Sequence, residues 1–197
     1  MISLIPIHRI VVTVAVIYAL MVSVVLYIYW HYVDAPTLIA SIKFALAGAT
    51  ALNATLLGII FFAWKSIWKK FPILNTLIFP NLNGLWGMKI HWVGNDASGI
   101  VHANATIKQS LVGISMEVDS TSSDSETLLA HPKKDSASGR PLLYYVYRVV
   151  PKQIDVDAGA TYEGAAILKF DAMENGSLKG NYFTSRQTKG YFTLERK

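Results

Sequence analysis

Two charge-free runs set the limits on what this chain can fold into. Ile10 to Trp30 and Phe44 to Trp64 each hold 21 residues without an Asp, Glu, Lys or Arg. A helix needs ~20 apolar residues to cross a hydrocarbon core, so each run reads as a membrane span. His31, Asp34, Pro36 and Lys43 break the apolar pattern between them, and Pro36 with its neighbours is placed to turn the chain back. The expectation is a transmembrane helical hairpin over residues 1–70, with spans at about 10–32 and 38–64, a connector over 71–80 and a separate domain over 81–197. The first run exceeds the ~7–15 residues of a signal-peptide core, and Trp30, His31 and Tyr32 make no small-residue cleavage site. It reads as a retained helix.

Charge separates the two parts. Of the formal net charge of +5, residues 1–80 carry +4 and residues 81–197 carry +1, from thirteen basic and twelve acidic side chains. The basic balance is therefore a membrane-flank property, and the downstream domain lacks the basic footprint of a protein that grips polymeric nucleic acid. Arg9 precedes the first span and Lys65, Lys69 and Lys70 follow the second, whereas the hairpin loop offers Lys43 against Asp34. Cytoplasmic flanks carry the excess of Lys and Arg, so both termini and the C-terminal domain are expected on the cytoplasmic side of the membrane. Tyr27, Tyr29, Trp30 and Tyr32 at one end, with Trp64 and Trp68 at the other, suit the two membrane interfaces.

Ala47, Ala51, Ala54 and Gly58 recur at helical spacing along the second span, with Asn53 beside them. Small side chains let transmembrane backbones approach closely, and a mid-span amide wants a partner that lipid cannot supply. The stripe either packs the second helix on the first or joins helices of different chains. After the spans, Pro72 ends or kinks the helix. Ile73, Leu74, Leu77, Ile78 and Phe79 are too apolar for a free linker and are expected against the membrane surface or the following domain.

From Leu85 the pattern changes to period-two alternation broken by turn residues, the signature of strands. Trp86, Met88, Ile90 and Trp92 share one face of a first strand, and further strands are expected at about 100–109, 112–120, 126–131, 142–150, 161–170, 178–185 and 190–196. Ser120 to Ser125 and His131 to Gly139 read as loops by composition, and Asn175-Gly176 reads as a hairpin turn. Eight short strands with tight turns indicate an eight-stranded antiparallel β-barrel of the lipocalin or fatty-acid-binding kind, with a sandwich as the alternative.

Chemistry is sparse. The chain has no cysteine, which removes thiolate catalysis and Cys-based metal sites. His91 and His102 fall on the first hairpin, where they would face each other without a third ligand, and no Gly-rich phosphate loop is present. Glu117 with Asp119, and Asp155 with Asp157, resemble ordinary solvated carboxylates rather than an acid–base pair. No catalytic residue, metal or cofactor is assigned. Gly180, Tyr182, Thr184 and Arg186 share one parity on the seventh strand and its outlet. A ring, a hydroxyl and a guanidinium in a row suit a base and a phosphate, and they equally suit an ordinary strand ending in Arg.

These residues, with Pro80, Leu82, Gly84, Trp86 and Gly87, then Ile107, Gln109, Ser123, Ser125, Leu143, Tyr145, Tyr147 and Gly164, and a closing Gly190, carry a resemblance. The chain resembles the two-transmembrane, β-strand-rich membrane effectors of bacterial CBASS anti-phage defence. The resemblance implies that the barrel binds a cyclic dinucleotide made by a partner cyclic-oligonucleotide synthase, that binding promotes homo-oligomerisation, and that the helices then disrupt the inner membrane and kill the cell. It implies a ligand site of Tyr182, Thr184 and Arg186, supported by Trp86, Gln109 and Tyr147. The alternative is a membrane-tethered barrel that binds a lipid or fatty acid.

Overall fold

The computed structural model describes residues 7–32, 37–94, 97–153, 159–172 and 176–197. Asp34 and Pro36 of the expected hairpin turn, the pair Asp155 and Asp157, and Asn175 lie outside the described residues. Two compact units emerge, a helical one ending at Lys70 and a barrel unit from Phe71 onward.

The helical unit holds α1 (Ile7–Tyr32), α2 (Leu38–Gly58), a π-helical turn (Ile59–Ala63) and α3 (Trp64–Lys70). α1, and the continuous helical run Leu38–Lys70, are long and apolar enough to cross a membrane. Thr37 starts α2 by accepting the Ala40 N–H at 3.3 Å. The hydroxyls of Ser23, Thr50 and Thr55 donate to carbonyls four residues back at 2.8, 3.0 and 2.8 Å, which spares them any need for water in hydrocarbon. On α2, Ser41 and Leu52 are buried and Ala45, Gly48 and Ala49 half-buried, and the Phe44 ring lies 4.9 Å from that of Tyr29 on α1. Ala47, Ala51, Asn53 and Ala54 are exposed and Gly58 is half-buried, so the small-residue stripe is not the seam between the two helices.

The barrel unit opens with a short helix, α4 (Ile73–Leu77), within the expected connector, and Phe79 and Leu82 beyond it are fully buried. Eight antiparallel strands follow: β1 (Gly84–Val93), β2 (Ser98–Gln109), β3 (Ile114–Ser120), β4 (Ser123–Lys134), β5 (Pro141–Pro151), β6 (Tyr162–Asp171), β7 (Ser177–Thr184) and β8 (Lys189–Arg196). Each pairs with its neighbour in sequence and β8 closes on β1, with Met88 opposite Leu194, so the sheet has no free edge. This is a closed barrel and not a sandwich.

Alternation fixes what lies inside. At the end where the chain enters, Trp86, Ile107, Met116, Leu143, Leu168, Leu178 and Leu194 join Phe79 and Leu82 in a solid apolar plug. Toward the other end the inward residues become Tyr, Ser and Thr, and the interior is hollow.

Three expectations need correction, and one irregularity stands beside them. Ser120 ends β3 and Ser123 to Ser125 begin β4, so the serine run is a two-residue turn with strand on both sides; its hydroxyls replace water as backbone partners, which composition alone does not reveal. His131 to Lys134 are strand rather than loop, and the turn is 135–140, pinned by Asp135 Oδ1, which accepts from Ala137 N, Ser138 N and Ser138 Oγ at 3.1, 2.7 and 2.8 Å. A bulge between Thr127 and Leu129 shifts parity within β4, leaving both Leu128 and Leu129 exposed. Finally, register sets Lys89 opposite His102 and Ile100 opposite His91, so the two histidines do not face each other.

Candidate ligand cavity

The hollow end of the barrel encloses a cavity of about 240 Å³. Ten of its seventeen lining residues carry a hydroxyl and none carries a charge, so it is an uncharged pocket with hydroxyls set in a largely apolar lining. Two walls differ in character. One is aromatic: Tyr145 stacks on Tyr147 with centroids 4.9 Å apart, Tyr147 meets Phe192 at 6.1 Å, and Phe192 stacks on Tyr182 at 4.1 Å. The other is the β3–β4 hairpin, which contributes Ser120, Ser122, Ser123 and Ser125.

Glycines on neighbouring strands make room for the rings. Tyr147 pairs with Gly164, and a Cβ there would lie 2.5 Å from the Tyr147 hydroxyl. Tyr182 pairs with Gly190, where an added Cβ would meet the Tyr182 ring at 2.8 Å. Burial raises the phenol pKa of Tyr145 and of Tyr182 to about 12, and burial likewise raises those of Tyr147 and Tyr162. All four stay neutral at physiological pH, and an anionic ligand meets no tyrosinate. The hydroxyls of Tyr147 and Tyr182 have no hydrogen-bond partner among the described residues, although both side chains are buried.

The hairpin wall is tightly bonded. Tyr145 donates to the Met116 carbonyl at 2.8 Å, and Ser125 Oγ lies 3.2 Å from the Tyr145 oxygen while accepting the Val118 N–H at 3.1 Å. Ser120 Oγ donates to the Ser123 carbonyl at 2.8 Å, accepts the Ser123 N–H and lies 3.1 Å from Ser123 Oγ.

Tyr147, Tyr182 and Thr184, three of the six residues singled out from the sequence, line this cavity together. Arg186 stands beyond Thr184 in the β7–β8 turn. Its guanidinium lies 4.3 Å over the ring of Tyr162, a cavity residue, and Nη2 donates to the Ala160 carbonyl, so it is held at the rim. Trp86 and Gln109 sit elsewhere. Gln109 accepts the Leu82 N–H at 2.6 Å and donates to the Pro80 carbonyl at 3.1 Å, while Trp86 Nε1 donates to the Leu82 carbonyl at 2.9 Å. Both clamp the incoming chain in the closed end, and neither lines the cavity. Sequence reasoning missed the partners supplied by Tyr145, Tyr162, Phe192 and the serines. Their signal was available in the inward parity that Tyr145 shares with Tyr147, and in Ser123, Ser125 and Thr127 at every second position.

Fold and cavity together define a ligand-binding barrel joined to helices of membrane-spanning length. A family model described as Cap15, cyclic dinucleotide receptor domain, matches residues 77–196, which is more than half of the chain, and the chain belongs to that family. It is a CBASS effector whose barrel is a receptor for a cyclic dinucleotide. No curated protein matches the chain in a sequence comparison.

Proposed function

We propose that the cyclic dinucleotide enters the hollow end of the barrel, that its binding drives assembly of the chains, and that the assembled helices breach the inner membrane to kill the infected cell. In this reading the rings of Tyr147 and Tyr182 stack on a base, Thr184 hydrogen-bonds the ligand, and Arg186 at the rim meets phosphate. Both termini and the barrel are cytoplasmic, where a partner cyclic-oligonucleotide synthase would release the signal. The observation that carries the reading is the uncharged cavity of tyrosines and hydroxyls with one guanidinium beside it.

Isothermal titration of the full chain in detergent micelles tests the assignment. A cyclic dinucleotide is expected to bind and to raise the melting temperature by mass action, whereas a fatty acid is expected to do neither. Arg186→Ala is expected to weaken binding by roughly tenfold or more, in the range of a charge-assisted hydrogen bond, while the barrel stays folded. Unchanged affinity in a folded variant would remove Arg186 from the site.

A further inference from the structure

The barrel domain is close to neutral as a whole, yet its charges are sorted along the barrel axis. Of residues 81–197, the strand halves and turns at the closed end, where the chain enters, hold by sequence eight Lys and Arg against five Asp and Glu, net +3. Those at the cavity mouth hold five against seven, net −2. The basic excess gathers on β4 to β7. Lys133, Lys134 and Arg140 flank the β4–β5 turn, and Lys169 of β6 stands directly opposite Lys179 of β7. Like charges set opposite each other on a sheet cost stability, and an anionic surface relieves that cost.

Large apolar side chains stand among the basic ones at the same end. Ile73 on α4, Leu85 at the start of β1 and Val112 in the β2–β3 turn are each more than half exposed. α4 is tied to this rim, because Lys134 Nζ donates to the Thr76 carbonyl and Arg196 Nη2 donates to the Asn81 carbonyl just beyond the helix, the latter at 2.6 Å. Cations interleaved with exposed apolar groups suit the headgroup layer of a bilayer, where the first meet phosphate and the second reach the acyl boundary.

We propose that the closed end of the barrel is a lipid-binding surface, which rests on the anionic headgroups of a bilayer with Ile73 and Val112 among them and Lys133, Arg140, Lys169 and Lys179 on phosphate. Seated so, the barrel turns its cavity mouth, at the opposite end, to the solution from which a ligand must come. The proposal is independent of which ligand the cavity takes.

The chain has no cysteine, so a single introduced one carries a fluorophore without competition. Val112→Cys reports on the closed end, and Thr121→Cys, exposed in the β3–β4 turn, reports on the mouth. The full chain is reconstituted into vesicles of phosphatidylcholine alone, or of phosphatidylcholine and phosphatidylglycerol in equal parts, and quenching by uncharged acrylamide is measured. At position 112 quenching is expected to fall at least twofold in the anionic vesicles, and to recover in molar salt, which shortens the Debye length to ~3 Å. At position 121 it is expected to be the same in both lipids. Lys133→Glu combined with Lys169→Glu, both at exposed positions, is expected to abolish the protection. Equal quenching at position 112 in the two lipids overturns the proposal without recourse to any variant: high in both, that end stands in water; low in both, a second copy covers it. Protection at positions 112 and 121 alike overturns it as well, since the barrel then has no preferred end. Full protection in the folded double variant overturns the part given to the basic side chains.

Discussion

Tyr147 holds its place in the cavity because residue 164 has no side chain. In Gly164→Ala the new methyl would sit 2.5 Å from the tyrosine hydroxyl, and the ring can yield only by swinging into the hollow interior, since the strand behind it is fixed by its ladder to β6. The variant is expected to lose about 1–3 kcal/mol of stability from overpacking and to bind a cyclic dinucleotide at least tenfold more weakly, because the displaced ring fills the space a base would use. Chemical denaturation and calorimetric titration of the same preparation measure the two effects. Normal affinity in the destabilised variant would place the ligand away from Tyr147. Among the cavity residues, the ones legible in the sequence were those whose parity alone put them inside, namely Tyr147, Tyr182 and Thr184. Trp86 and Gln109 share that inward parity, yet they lie at the other end of their strands' interior, where they bond the incoming backbone at Pro80 and Leu82. Period-two patterning tells inside from outside and carries no information about depth along the barrel axis.

At the scale of elements, β3 and β4 make the most unusual junction in the wall. Their register holds two opposed pairs, Val118 with Ser125 and Asp119 with Asp124, where the other junctions hold six or more. Below those pairs hydroxyls replace the ladder: Thr127 Oγ1 accepts the Met116 N–H at 2.9 Å and donates to the Met116 carbonyl at 2.7 Å. This substitution explains why a serine-rich stretch that reads as loop is strand, and why the bulge at Leu128 is tolerated. Neither feature shows in propensity, since Ser and Asp favour turns and a bulge breaks the alternation by which strands are recognised. Thr127→Val keeps the shape of the side chain and removes both bonds, leaving a backbone N–H without its partner. A loss of about 1–3 kcal/mol is expected, together with faster hydrogen exchange at the Met116 amide. Stability and exchange equal to those of the unaltered protein would show that water replaces the hydroxyl at no cost, and that the junction is held by β2 and β5 alone.

For the whole molecule, the issue is how a small ligand in a barrel changes what two helices do. A ligand shifts an equilibrium only by its differential affinity for the two states, and moving a population from 1:99 to 99:1 takes roughly 10⁴-fold preference. Under the proposed function the ligand must therefore prefer the assembled chain, and the helices must gain contacts that the single chain leaves unmade. α2 carries candidates for those contacts. Ala47, Ala51 and Ala54 are exposed, on a different side of α2 from the buried Ser41 and Leu52, and the Asn53 amide has no partner among the described residues. The sequence made the stripe visible, but its period could not say which side of α2 would meet α1, because both sides offer small residues at helical spacing. Ala51→Leu or Ala54→Leu adds bulk to the exposed side of α2. Each is expected to leave cyclic dinucleotide affinity within about twofold, since the proposed ligand contact lies in the barrel, while reducing ligand-triggered dye leakage from liposomes at least tenfold, because the loss of close backbone approach recurs at every helix contact of an oligomer. Full leakage from both variants would assign assembly to some other surface and return the stripe to an incidental feature of a lipid-facing helix. Retained binding with lost leakage would locate the damaging step in the same charge-free run that defines the chain from its first residues onward.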